Sequence, residues 1–313
     1  MNSSLSLTLE AFYTDTKVTF DESLTEDSFL LNGKEQSEKE IAKISRFLDL
    51  FCEYIGKRPF ARVESLNFVP TAAGLASSAS AFAALALAAA DGLKLDLSRQ
   101  ELSTIARRGS GSSTRSLFGG FVEWDMGTSS EDSMAYPIDD ADWDVGMLIL
   151  AVDTQEKKVS SRIGMEHTVQ TSPFYPAWVE TAKEDLQAIK AAIAAKDFES
   201  LGRITEHNGM KMHATTLSAN PPFTYWTADS LLAQEAVRKV REDLQVPAYM
   251  TMDAGPNVKV LCQASDMERL VDAISAYFPA EKIIPSLPGP AAYVLTEAEW
   301  TASKEAFARG KKA

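Results

Sequence analysis

The run Pro70-Thr71-Ala72-Ala73-Gly74-Leu75-Ala76-Ser77-Ser78-Ala79-Ser80 limits what this chain can fold into more than any other segment. It follows an apolar-alternating run, Ala61 to Phe68, and precedes an Ala-rich run, Phe82 to Ala90. That order reads as strand, tight loop and helix start. Glycine and small side chains let a backbone come close to a ligand. The first amides of the following helix lack internal partners and carry partial positive charge, so they favour phosphate. Serine hydroxyls add donors and can ligate Mg²⁺. The Gly-Lys-Ser/Thr of a Walker A sequence is missing, so the ordinary P-loop reading fails. A small-residue helix packed closely in a core would explain the same composition.

Whatever binds such a loop must suit the rest of the chain. Its 313 residues, 45% of them hydrophobic, suffice for a large core and two domains. A net charge of −13 and a pI of about 4.8 argue against a nucleic-acid or anionic-membrane face, which would need a basic surface. They leave room for a small anionic substrate, because a few arginines can make a local basic pocket. Cys52 and Cys262 sit in apolar surroundings, and two cysteines make no disulfide framework, which points to a reducing cytoplasm. His167, His207 and His213 lack metal-site spacing. No apolar run approaches the about 20 residues of a membrane span, and Met1-Asn2-Ser3-Ser4 has no signal-peptide character. Ser4 to Leu9 already alternates like a half-buried strand, so the chain is expected to begin inside a fold.

Periodicity predicts strands at 4–9, 16–20, 28–31 and 61–68, with Asn32-Gly33 as a turn after the third. Glu35 to Tyr54 reads as a helix stopped by Gly56, residues 75–91 as the buried helix after the loop, and Ser98 to Glu101 as a capping box opening a helix through Arg108. Extended segments are expected at 121–124 and 133–137, an acidic surface connection at 139–144, and an apolar strand at 147–152. Helices follow at 176–195, 198–213 and 227–242, strands at 249–252 and 258–262, a helix at 267–278 and a last strand at 291–295. There is no internal repeat. Mixed rather than alternating elements favour α+β in two lobes over a doubly wound sheet.

Three further segments carry chemistry. Gly109-Ser110-Gly111-Ser112-Ser113-Thr114-Arg115-Ser116-Leu117-Phe118-Gly119-Gly120 joins a helix to a strand, with free backbone, many hydroxyls and one arginine able to fork onto phosphate or carboxylate. It is equally the composition of a flexible loop. Asp253, in Thr251-Met252-Asp253-Ala254-Gly255-Pro256-Asn257-Val258-Lys259-Val260, ends one apolar strand before a tight turn. A carboxylate there could orient or deprotonate a hydroxyl, or serve only as a turn former. Lys157-Lys158-Val159-Ser160-Ser161-Arg162 concentrates three cations and two hydroxyls in an acidic chain, as a binding loop or as a solvated turn.

The Pro70 loop resembles the phosphate loop of the GHMP kinase superfamily, whose pattern is Pro-x-x-x-Gly-Leu-x-Ser-Ser-Ala. Taken together, the four segments resemble the bacterial diphosphomevalonate decarboxylases of that superfamily, from Asn2-Ser3-Ser4-Leu5-Ser6-Leu7-Thr8-Leu9 to the strand after Asp253. Asn67 to Ser78 and Thr251 to Lys259 are the specific matches, and Met212-His213-Ala214-Thr215-Thr216 is similar as well. Mevalonate and homoserine kinases usually carry a late Gly-rich loop where this chain has Met252-Asp253-Ala254-Gly255-Pro256-Asn257. Mevalonate kinase has an aspartate where Arg115 stands.

The resemblance implies a two-lobed α+β fold. Its ribosomal-S5-domain-2-like N-terminal lobe spans residues 1–142, and its ferredoxin-like C-terminal lobe spans 143–313. It implies ATP and Mg²⁺, a cytoplasmic homodimer, and no nucleic-acid or membrane partner. The implied reaction phosphorylates the 3-hydroxyl of (R)-5-diphosphomevalonate, then loses phosphate and CO₂ to give isopentenyl diphosphate. By matching positions, Asp253 is the base or orienting group and Arg115 holds the substrate carboxylate. Ser110, Gly111, Ser112, Ser161 and Arg162 bind substrate. Pro70, Ala73, Gly74, Leu75, Ala76, Ser77 and Ser78 serve ATP, with Ser77 on the metal. Lys158, or Lys157 one position away, reaches an ATP phosphate.

The family also opens with a strand carrying Asn-Ile-Ala-Leu-Ile-Lys-Tyr-Trp-Gly-Lys, which this sequence does not contain. Without that tyrosine and lysine, the chain is expected to be less stable and less active than one extended upstream. The alternatives to the decarboxylase are a weak or dead ligand-binding GHMP fold and a GHMP kinase without decarboxylation.

Overall fold

The computed structural model describes residues 2–69, 78–152 and 160–310. The expectations placed on Pro70, Ala73, Gly74, Leu75, Ala76, Ser77, Lys157 and Lys158 lie outside the described residues. Strands run β1 (Ser4–Leu7), β2 (Thr14–Asp21), β3 (Ser28–Leu31), β4 (Lys34–Glu35), β5 (Phe60–Asn67), β6 (Phe121–Trp124), β7 (Ala135–Asp139), β8 (Gly146–Leu150), β9 (Ala248–Thr251), β10 (Val258–Cys262) and β11 (Ile283–Ser286). Helices are α1 (Glu38–Leu48), α2 (Cys52–Ile55), α3 (Ser78–Gly92), α4 (Arg99–Gly109), α5 (Ser161–Thr171), α6 (Tyr175–Ala194), α7 (Phe198–Leu217), α8 (Ala228–Leu244), α9 (Met267–Ile274) and α10 (Glu297–Gly310). The described residues divide into two compact units, one of 12–69, 78–137 and 290–310, the other of 2–11 and 138–289.

In the first unit the sheet order is β2-β5-β3-β4. β2 lies antiparallel to β5 from Thr14 opposite Asn67 to Asp21 opposite Phe60, and β3 runs parallel to β5. Asn32 and Gly33 both have positive φ, 57° and 75°, the backbone a two-residue hairpin between β3 and β4 requires. The expected helix at 35–54 begins at Glu38, with Ser37 as its cap, and breaks into a 3₁₀ turn at Asp49–Phe51 before α2. α3 buries Phe82, Ala83, Leu85, Ala86, Ala89 and Ala90 on one face, and none of its residues from 78 to 90 is charged or exposed, so its body is a core helix. Phe47, Phe51, Val63, Ile105, Leu117 and Val122 complete that core. The anticipated capping box at Ser98 and Glu101 opens α4.

The end of this unit corrects the sequence expectation. Residues 291–295 form no strand. Thr296 and Glu299 instead form a reciprocal cap, Glu299 N–H to Thr296 Oγ1 at 3.2 Å and Thr296 N–H to Glu299 Oε2 at 2.7 Å, and α10 follows. Trp300 is buried, and Phe307 meets Phe68 edge-on at 5.5 Å.

In the second unit β11-β8-β10-β9 form a fully antiparallel sheet, with β8 buried along its whole length. Its core joins Leu148, Leu150, Met250, Val258, Val260, Leu270 and Ile274. β1 ends at Leu7, short of the expected Leu9, and the next residues bind the chain after β11. Gly289 N–H donates to the Thr8 carbonyl at 2.8 Å, and Glu10 N–H to the Leu287 carbonyl at 3.1 Å. α5 has no counterpart in the sequence expectation. It starts from Ser160, whose Oγ accepts from Ile163 N–H at 3.3 Å.

Candidate functional site

Ser110, Gly111, Ser112 and Arg115 follow α4 in the first unit. Gly109 ends that helix against Phe82 of α3, and a Cβ there would run into the Phe82 ring, so only glycine lets the two helices approach this closely. The chain then turns once in a 3₁₀ helix, Gly111–Thr114. Two fully buried hydroxyls anchor that turn. Ser113 Oγ–H lies 2.7 Å from the Ala106 carbonyl, and Thr114 Oγ1–H donates to the Gly111 carbonyl at 2.6 Å. Anchored below in this way, Gly111 and Ser112 stay exposed, while Ser110 and Arg115 are half-buried. Ser110 Oγ lies 3.2 Å from Ser78 Oγ and 3.2 Å from Ser112 Oγ, so the structure brings three of the expected hydroxyls together. Desolvation brings the Arg115 guanidinium down to about 10, still cationic at neutral pH. Hydroxyl donors on such a turn, with one guanidinium in the same segment, have the chemistry to bind an anion.

Asp253 lies in the second unit on the turn between β9 and β10, and its side chain is 68% exposed. Lys259 Nζ donates to Asp253 Oδ1 at 2.8 Å from a side chain only 18% exposed, so the ammonium is sunk beneath a carboxylate that faces outward. Three further bonds hold the turn. His213 Nε2 on α7 lies 3.2 Å from the Met252 carbonyl, Ser230 Oγ–H on α8 donates to the Pro256 carbonyl at 2.7 Å, and Asn257 Oδ1 accepts from Val152 N–H at 2.9 Å. Such a carboxylate can orient a hydroxyl or take its proton.

Ser161 and Arg162 occupy the first turn of α5 in the same unit, Ser161 half-buried and Arg162 exposed. At Gly164 a Cβ would run into the Tyr225 hydroxyl, which draws the start of α5 close to that ring. Burial, and then the Asp253 charge, push the Tyr225 phenol above its ordinary value. Among the described residues no group of three or more His, Cys, Asp or Glu side chains is arranged to hold a metal ion.

Sequence reasoning missed the roles of Lys259, His213 and Ser230. Lys259 and His213 fall inside segments already singled out, but the contacts that give them meaning span 6 and 39 residues of chain. Ser230 is visible in the sequence only as a helix-start residue after Thr227.

Comparison with known proteins bears on both units. Residues 1–135 match the family model of the diphosphomevalonate decarboxylase-like N-terminal domain, and residues 147–308 that of the mevalonate 5-diphosphate decarboxylase C-terminal domain. A diphosphomevalonate decarboxylase of Ganoderma lucidum is 36% identical over 303 residues, 89% of this chain and 76% of the relative. The solved mevalonate diphosphate decarboxylase from Enterococcus faecalis superposes with a TM-score of 0.87 at 50% identity, covering 93% of this chain and 89% of that one. A solved complex of MDDEF with MVAPP, AMPPCP and magnesium gives a TM-score of 0.87 at 51% identity, with coverage of 93% and 89%.

Proposed function

The chain belongs to the diphosphomevalonate decarboxylase family, and from that membership we propose that it catalyses ATP-dependent decarboxylation of (R)-5-diphosphomevalonate. The products are isopentenyl diphosphate, ADP, phosphate and CO₂. The observation that carries this reading over a plain kinase is the turn Met252 to Asn257, held by α7, α8 and the segment after β8, with Asp253 displayed above Lys259. Where the sister kinases usually have a Gly-rich loop, this chain has a carboxylate on a hydrogen-bonded turn.

Asp253 orients the tertiary 3-hydroxyl or removes its proton while that oxygen attacks the γ-phosphorus of ATP and ADP departs. The C3–O bond then breaks with its electron pair going to phosphate. The bond from the adjacent carbon to the carboxylate supplies the pair that forms the alkene, and CO₂ leaves. Arg115 grips the carboxylate with its planar fork and, as it becomes CO₂, releases it. Ser110, Gly111, Ser112, Ser161 and Arg162 hold the diphosphate.

The hydroxyls of Ser78, Ser110 and Ser112 are the donors that phosphate oxygens require. Mg²⁺ fits a set with few carboxylates, because it keeps water and phosphate oxygens in its octahedron. Ser77 would hold it, and when bound it neutralises phosphate charge. Pro70, Ala73, Gly74, Leu75, Ala76, Ser77, Ser78 and Lys158 serve the nucleotide.

The test is incubation with ATP, Mg²⁺ and diphosphomevalonate, following ADP and CO₂ together. Equal release of both is expected. ADP without CO₂ would make the protein a kinase, and binding with neither product would make it a ligand-binding relative. Asp253→Asn should remove most turnover and leave substrate affinity within about tenfold, the pattern of a group acting mainly in the transition state. The family resemblance supports a cytoplasmic homodimer, which light scattering on the purified protein checks for its assembly state. No described helix is long and apolar enough to cross a membrane.

A further inference from the structure

The motif Met212-His213-Ala214-Thr215-Thr216 has no part in the reaction as written, yet its histidine touches the residue before Asp253. His213 is 1% exposed on α7. Its Nε2 lies 3.2 Å from the Met252 carbonyl oxygen, which can only accept, so Nε2 carries the proton and Nδ1 is bare. Nδ1 is buried without a hydrogen-bond partner among the described residues, so none of them backs the ring with a carboxylate or hydroxyl as an acid–base relay would need. The Trp226 ring packs against the imidazole, 5.0 Å away at 47°. Burial pushes the imidazole below its ordinary value, outweighing the Met252 carbonyl and the Asp253 charge that pull it up, while Lys259 adds to the lowering.

We propose that His213 is a positioning residue for Asp253: its Nε2–H, held in one tautomer, clamps the Met252 carbonyl and so sets where the next residue carries its carboxylate. The inference rests on the reading of Asp253 as the catalytic carboxylate. The physical need is clear from the site. The Asp253 side chain is largely exposed and is drawn toward Lys259. The Met252 side chain is buried in the core and Ser230 and Asn257 hold the far side of the turn, so the His213 bond sets the orientation of the peptide that joins the core to Asp253. A displacement of about 1 Å at a reacting group costs on the order of a hundredfold in rate. A ring that merely fills core space would not depend on which of its nitrogens carries the proton.

That difference is the test. The amide nitrogen of glutamine reaches the place of Nε2, whereas that of asparagine stops near Nδ1. His213→Gln should keep kcat within about threefold, and His213→Asn should lose about tenfold or more in kcat with KM for both substrates nearly unchanged. Equal losses in the two variants, or a kcat in His213→Asn equal to the parent's, would overturn the proposal. If His213→Asn does not fold, ¹⁵N NMR of imidazole-labelled parent protein decides. The chain has three histidines, so loss of one signal in His213→Gln assigns the spectrum. Protonated Nε2 with bare Nδ1 across the working pH range is expected, and the opposite tautomer or a titrating cation would refute the clamp. Asp253→Asn is assayed alongside. Full activity there would sink the reading of Asp253, whereas a dead Asp253→Asn with a normal His213→Asn would sink this inference alone.

Discussion

Arg115 and Cys262 show how far a residue's chemistry follows from its surroundings. Arg115 reads in the sequence as the single cation in its glycine- and serine-rich loop, and the structure adds a desolvation that would strengthen the proposed pairing with a substrate carboxylate. Lysine keeps the charge but not the planar fork, so Arg115→Lys should lose about tenfold or more in kcat/KM, about 1.4 kcal/mol of barrier. A variant that works like the parent would reject the bidentate role. Cys262 lies fully buried in β10, and burial, with Asp266 and Asp144 adding to it, pushes its thiol up to about 12. Thiolate is the reactive form. A disulfide reagent should therefore titrate Cys52, which is half-buried, well before Cys262, and Cys262 should react at full rate only after denaturation. Fast reaction of both thiols in the native protein would contradict this.

At the scale of elements, the helix starts were legible where a side chain caps its own turn. Ser98 with Glu101 announced α4 directly. Thr296 with Glu299 carries the same signal for α10, overlooked because the apolar residues Ala291 to Val294 just before it read as a strand. What caps cannot disclose is which helices touch. The α3–α4 contact turns on Gly109 beneath Phe82. Gly109→Ala should cost roughly 1–3 kcal/mol, as overpacking does, and should displace Ser110 next to it. Urea unfolding measures the cost. In a Phe82→Ala background the same substitution should be nearly free, and a cost that does not change with residue 82 would show that the ring is not the obstacle.

For the whole molecule, charge and a buried ion pair set two separate responses to acid. Net charge falls from −13 at pH 7 to zero near the pI of about 4.8, so light scattering should peak near that pH while the circular dichroism stays native. Unfolding should come lower. Burial pushes the Asp27 carboxyl up, but hydrogen bonds from Arg58, Ser45 and the Ala61 amide outweigh it and hold the group below its ordinary value. A carboxylate with a lowered folded pKa stabilises fully above its unfolded pKa, about 3.9, and the contribution is lost as pH falls through the folded value. The pair is 2.7 Å apart with side chains 6% and 4% exposed, so Asp27→Asn should cost about 3–5 kcal/mol at pH 7 and flatten the acid limb of the stability curve. An unchanged acid midpoint would assign that limb to other carboxylates.

Asp27 and Arg58 also mark the boundary between what the sequence determined and what the tertiary structure decided. Alternation, caps and turn residues act within a few positions of the chain. They were enough for β3 and its Asn32-Gly33 turn, for strand β5 followed by helix α3, and for the elements flanking the segments that bear Ser110, Arg115 and Asp253. Long-range partners depend on how the chain folds back, and no local spacing encodes that. Arg58 meets Asp27 across 31 residues, His213 meets Met252 across 39, and Ala11 meets Ser286 across 275. Local sequence therefore offered candidate groups for the chemistry, while tertiary packing decided which of them are held in place by partners distant in the chain.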